Sequence, residues 1–211
     1  MCRVLDSSLA AVDDSVGQIR SIVRSLRDRD EDVSLVDRLR RESSLARTLL
    51  GFAPSLLLSV DGRALALAGR VEEDELISAV DAAVDPDIAD DMVAVVREGL
   101  SNVARHAHAS SVTVDVMLSG VVPEGDGAAG GPGVEPAVEI VCRDDGVGVD
   151  PKVTRRSGTA NMAERARRHG GTFVIGPRAR TDGTRRGTCF TWRAPLTGRP
   201  GPGRKPGPGQ N

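Results

Sequence analysis

The sequence predicts an α/β domain, on three observations. Read as a helix, the stretch ending at Ala107 puts Val93, Val96, Leu100, Val103 and Ala107 on one face. That is the i, i+3, i+4, i+7 spacing of a buried stripe. Ser111–Leu118 alternates, with Val112, Val114, Val116 and Leu118 on one side and Ser111, Thr113 and Asp115 on the other, the period of a half-buried strand. Ala137–Cys142 is a short apolar run that reads as a central strand.

Composition sets the bounds. The 211 residues are 39% hydrophobic, enough for one ordinary domain and an appendage. A net charge of −2 gives no strong pull toward nucleic acid. Aromatics are 2% with no Tyr, so there is no platform on which to stack bases. Cys2, Cys142 and Cys189 make neither a metal spacing nor an even disulfide set; Cys142 and Cys189 read as buried thiols, and a reducing cytoplasm is the expected location. No apolar run approaches the ~18 residues of a membrane span, so no membrane contact is expected within this chain.

In chain order, Leu5, Leu9, Val12, Val16, Ile19, Val23 and Leu26 step alternately by four and three, a heptad seam that needs a partner helix in this chain or another subunit. Val33–Leu50 reads as an amphipathic helix with Val36, Leu39, Leu45 and Leu49 apolar, stopped by Gly51. Pro54–Val60 reads as a strand ending at an Asp61-Gly62 turn. Arg63–Ala83 is ambiguous, with helical character from Glu72 to Val84. Asp85 suits a cap and Pro86 a first helical turn, and that helix runs to about Ala107. Gly120–Pro136 is a Gly/Pro-rich loop. Val149–Ser157 is polar and basic and reads as a flexible lid. Thr159–Arg168 reads as a short helix stopped at His169-Gly170-Gly171, and Thr172–Ile175 and Thr188–Ala194 as a closing pair of strands around a basic loop with Arg178, Arg180, Arg185 and Arg186. Residues 197–211, rich in Gly and Pro, are expected to be a disordered tail.

Two phosphate-binding signatures are excluded. Gly125-x-Gly127-x-x-Gly130 is formally a dinucleotide fingerprint, but the fingerprint must open a helix, and Gly131-Pro132-Gly133 prevents one. No GxxxxGK[ST] loop is present, which argues against a P-loop ATPase.

The candidate chemistry lies on the polar side of the helix ending at Ala107. Glu98, Asn102 and Arg105 oppose the apolar stripe, with His106 beside them. Glu98 and Asn102 are one turn apart and point the same way. A carboxylate and an amide oxygen so placed can hold Mg2+ directly or through water; a solvated polar face has the same pattern. Asp144 follows the central strand, two residues before Gly146 and four before Gly148.

Together these segments resemble the histidine-kinase/Hsp90-type (GHKL) ATPases. Glu98-x-x-x-Asn102-x-x-Arg105-His106-Ala107 resembles their N box, and Asp144-x-Gly146-x-Gly148 their first glycine box. Ser157–Met162 with Glu164-Arg165-Ala166 is similar to the second glycine box of sensor kinases paired with LuxR/NarL-type response regulators. Gly187-Thr188 before Phe190, Trp192 and Pro195-Leu196 resembles the last box and closing strand. Leu50-Gly51-Phe52-Ala53-Pro54 resembles the GAF-bearing, gas- or redox-sensing members.

The resemblance implies a two-layer α/β sandwich of the Bergerat type, a mixed sheet covered by helices on one face, with a long N-terminal helix. Residues 1–30 would be part of the second helix of a dimerisation bundle, 31–196 the catalytic ATP-binding domain and 197–211 the tail. Asp144 would accept a hydrogen bond from the adenine amine, Gly146 and Gly148 would shape the base pocket, and Gly158 would offer backbone N–H groups to phosphate. Asn102 would ligate Mg2+, Glu98 would act through a metal-bound water or as a weak base, and Arg105, His106 and Thr188 would contact the nucleotide. The implied activity is donation of the ATP γ-phosphate to a bundle His and then to a response-regulator Asp, in a homodimer. His106, His108 and His169 all follow the heptad segment, and none precedes an acidic residue. The phosphoacceptor His is therefore missing here, the chain reads as a piece of a longer kinase, and it is not expected to autophosphorylate by itself. The alternatives are an anti-sigma-type Ser/Thr kinase and a non-catalytic dimerisation module with a degenerate pocket. Thr159 stands where these kinases more often carry Leu.

Overall fold

A computed structural model describes residues 33–122, 135–148, 157–179 and 185–196. The heptad segment, the tail and most of the expected lid lie outside them. The first element, α1 (Leu35–Leu50), buries Leu35, Val36, Leu39 and Ala46 and ends where Gly51 turns left-handed at φ +78°, a conformation that costs glycine little. The chain enters β1 (Ser55–Val60), reverses through Asp61 and Gly62, both at positive φ, and forms the two-residue β2 (Arg63–Ala64). A single 3-10 turn at Leu65–Leu67 leads to α2 (Arg70–Ala83). Then follow α3 (Pro86–Asn102), β3 (Val112–Ser119), β4 (Ala137–Asp144), α4 (Ser157–Arg168), β5 (Thr172–Ala179) and β6 (Arg185–Pro195).

The strands form one sheet in the order β2-β1-β3-β4-β6-β5. It is mixed: β1 pairs parallel with β3, and the other pairs are antiparallel. Strand alternation sorts the two faces. Val114, Val116, Leu118, Val138, Ile140, Cys142, Phe190 and Trp192 join one buried cluster with Val36, Leu39, Ile88, Met92, Val96, Leu100 and Met162 of the helices. On the other face Leu57 and Met117 are exposed, and Arg143–Asp115 and Arg193–Glu139 pair across neighbouring strands. The fold is therefore a two-layer α/β sandwich with its helices on one face, as expected. Each core Val, Leu or Ile removed from water contributes about 1.5–3 kcal/mol, so this one cluster holds sheet and helices together.

The turn after β1 has a role the sequence did not show. Asp61 is buried, and its carboxylate accepts the N–H groups of Gly120 at 2.6 Å, Val121 at 3.2 Å and Val122 at 2.8 Å. It ties the β1–β2 corner to the end of β3. Two sequence expectations are corrected. Leu45 and Leu49 of α1 are exposed, at 58% and 71%. Cys189 is half-buried, whereas Cys142 is buried.

Candidate functional site

The site begins with the way α3 starts and stops. Asp85 caps it, its carboxylate accepting the Asp87 N–H at 2.9 Å, and Pro86 occupies the first turn, where a missing N–H costs nothing. After Asn102 the helix widens into a π-helical turn over Val103–Ala107, and His108 ends it at φ +49°. A π turn changes the pairing of the last carbonyls. Here the Ala107 carbonyl accepts the Val147 N–H from beyond β4 at 2.8 Å. A Cβ on Gly146 would overlap that same carbonyl, so only glycine lets the two segments meet.

The two carboxylates after β4 divide the work. Asp145 turns outward and accepts the Ser110 N–H at 2.8 Å, the Ser110 hydroxyl at 2.6 Å and the Ser111 N–H at 2.9 Å. Burial raises its pKa, but the hydrogen bonds from Ser110 and Ser111 outweigh it and hold the carboxyl well below the usual range. Asp144 turns inward and is buried. Its Oδ1 accepts the Gly146 N–H at 2.9 Å and the Thr188 N–H at 3.1 Å. Both bonds fall on the same oxygen. Gly187, at φ +84°, lies so close that a Cβ there would overlap the Asp144 carbonyl.

Asn102, His106, Asp144, Gly148 and Thr188 line one cleft, with Val103, Cys142, Thr159, Met162, Ile175 and Phe190 among its apolar and neutral walls. Burial, and then the Asp144 carboxylate, push the Cys142 thiol up, so it is neutral wall rather than nucleophile. Gly99 also lines the cleft, and a Cβ there would meet the Phe190 ring at 2.8 Å. The cavity is narrow, about 40 Å3, room for water but below the roughly 300–1,000 Å3 of small-molecule pockets.

Glu98, Gly146 and Gly158 are not among the residues that line the cleft. Gly158 lies against the Glu98 carboxylate, which a Cβ there would overlap. Arg105 is exposed and is not among the residues that line the cleft. Thr188 contributes, but its N–H is already held by Asp144. Among the described residues, no group of three or more His, Cys, Asp and Glu can hold a metal ion, and no helix is long and apolar enough to cross a membrane.

One buried cluster was not legible beforehand. Asp91 of α3 is 3% exposed. It pairs with Arg165, with Arg168 at 2.5 Å and with His169 Nε2 at 2.8 Å. Three cationic or polar groups spaced i, i+3, i+4 on α4 and its following turn were the only signal. His169, read as a helix-end residue, is that and also a partner of Asp91.

No protein-family model matches the chain. Among solved structures, the histidine kinase domain of the Erythrobacter litoralis blue-light activated histidine kinase is 16% identical with a TM-score of 0.47, over 79% of this chain and 63% of that one. The mycobacterial sensor histidine kinase MprB is 16% identical with a TM-score of 0.43, over 80% and 98%. Full-length ShkA in complex with AMPPNP is 14% identical with a TM-score of 0.44, over 81% of this chain and 32% of ShkA. The chain thus spans less than two thirds of the first of these. Likeness at this level carries no conclusion about activity or ligand.

Proposed function

We propose that this chain is the ATP-binding catalytic region of a two-component sensor histidine kinase. The observation that carries it is Asp144: a buried carboxylate whose Oδ1 is held by two backbone N–H groups, facing a cleft whose other wall presents Asn102 and His106. Oδ2 suits the exocyclic amine of adenine and would prefer it to the carbonyl of guanine. The apolar wall of Met162, Ile175 and Phe190 suits the faces of a base.

Asn102 with Glu98 fits a hydrated Mg2+, since this ion keeps several waters and takes one or two protein oxygens plus phosphates. When bound, Mg2+ would neutralise phosphate charge. Gly158 at the start of α4 would face the phosphates, and His106 would lie beside them. The phosphoryl group would pass to a His on a bundle helix absent from this chain, then to an Asp of a LuxR/NarL-type response regulator. The heptad segment would supply the homodimer, in the cytoplasm. The domain limits would be those expected: bundle helix 1–30, catalytic domain 31–196 and tail.

The test is calorimetric titration of the chain with AMPPNP and Mg2+, beside Asp144→Asn. Micromolar to sub-millimolar binding that the variant loses, with its circular dichroism unchanged, supports the reading. No binding by the wild-type chain overturns it. In that event the non-catalytic module with a degenerate pocket is favoured.

A further inference from the structure

Asp91 and Glu98 are seven residues apart on α3, two turns along the same face. Their contacts on α4 are also seven apart, in the opposite sense: Asp91 pairs with Arg165, and Glu98 lies under Gly158. Helix α4 therefore runs antiparallel along α3, with two points of register about 10 Å apart at 1.5 Å per residue. At one point a buried carboxylate is gripped by Arg165, Arg168 and His169. At the other, the absence of a Cβ lets the helix start press on Glu98. Between them, Trp192 Nε1 donates to the Met162 carbonyl at 3.1 Å.

A hydrophobic contact would bury as much surface without fixing a register. A buried carboxylate is costly unless its partners stay in place, so a slide of α4 by one residue strands the Asp91 charge. The helix held in this way carries Thr159 and Met162, which line the cleft together with Asn102 and Val103. Helix α4 is therefore one wall of the cleft.

We propose that Asp91 is a positioning residue: through Arg165, Arg168 and His169 it fixes the register of α4 on α3, and so sets Gly158 over Glu98 and the width of the cleft. Its consequence for ligand binding rests on the nucleotide reading above; the register itself does not.

The test compares Asp91→Asn with Val80→Ala, a cavity at the one fully buried position of α2, at temperatures chosen to give equal global stability. Amide hydrogen exchange of the 158–168 segment and AMPPNP affinity are both measured. The expected result is exchange at least tenfold faster in that segment for Asp91→Asn than for Val80→Ala, with AMPPNP bound at least tenfold more weakly. Equal exchange in the two variants overturns the proposal, as does unchanged affinity. If the wild-type chain binds no AMPPNP, the nucleotide reading fails, and the exchange comparison alone decides whether Asp91 sets the register.

Discussion

Gly158 rests on the Glu98 carboxylate with no room for a Cβ, and Gly146 rests on the Ala107 carbonyl, likewise with no room for one. The two glycines nevertheless predict different outcomes. The atom facing Gly158 is the far end of a flexible side chain, and Glu98 can swing away. The atom facing Gly146 is backbone, fixed by its bond from Val147. Gly158→Ala should leave the urea midpoint nearly unchanged while weakening AMPPNP binding, because Glu98 leaves its seat. Gly146→Ala should cost about 1–3 kcal/mol, the range for forced overpacking. Equal losses of stability in the two variants would contradict this account.

How much of this was legible in the sequence follows from what each signal measures. Periodicity reports burial, so α3 and β3 were read with the right faces: Val112, Val114, Val116 and Leu118 are all buried. Spacing reports neighbours on one element, so Glu98 and Asn102 were placed together on α3. Neither reports how elements cross. Asp91 gives no signal of its own in the sequence because its partners lie more than seventy positions away. The π-helical turn was equally silent, and it decides where the Ala107 carbonyl points. Asp144 and Asp145 are adjacent carboxylates that look alike in sequence until the strand end sends one inward and the other out.

In helix α1 the spacing itself held the answer. At 3.6 residues per turn Leu45 lies about 180° around the helix from Val36, so the two cannot share a buried face. Leu39 is 1% exposed and Leu45 58%. Leu39→Ala should cost about 2–5 kcal/mol. Leu45→Ala should stay within about 0.5 kcal/mol, as for surface changes. Urea denaturation of both measures the contrast. A large cost at Leu45 would mean that this face of α1 is covered in solution, by another part of the chain or by a second copy.

The Asp91 cluster predicts the acid limb of the stability curve. Burial raises its carboxyl, but the hydrogen bonds from His169 and Arg168 and the charges of Arg165 and Arg168 outweigh it and hold the group below its ordinary 3.8. A group depressed in the folded state binds its proton more readily when unfolded. It therefore contributes stability above the unfolded value, and that contribution disappears as pH falls through the folded one. At pH 7 Asp91→Asn should lose roughly 1.5–3 kcal/mol, the scale of hydrogen bonds to a charged group. The loss should stay below that of a fully buried ion pair, because Arg168 is 58% exposed. As pH drops below about 4 the wild-type curve should fall toward that of the variant, the gap narrowing with each step. Urea midpoints of both proteins between neutral pH and pH 2.5 measure this gap. A gap that stays constant across the range would show that Asp91 acts by packing alone, with no contribution from its charge.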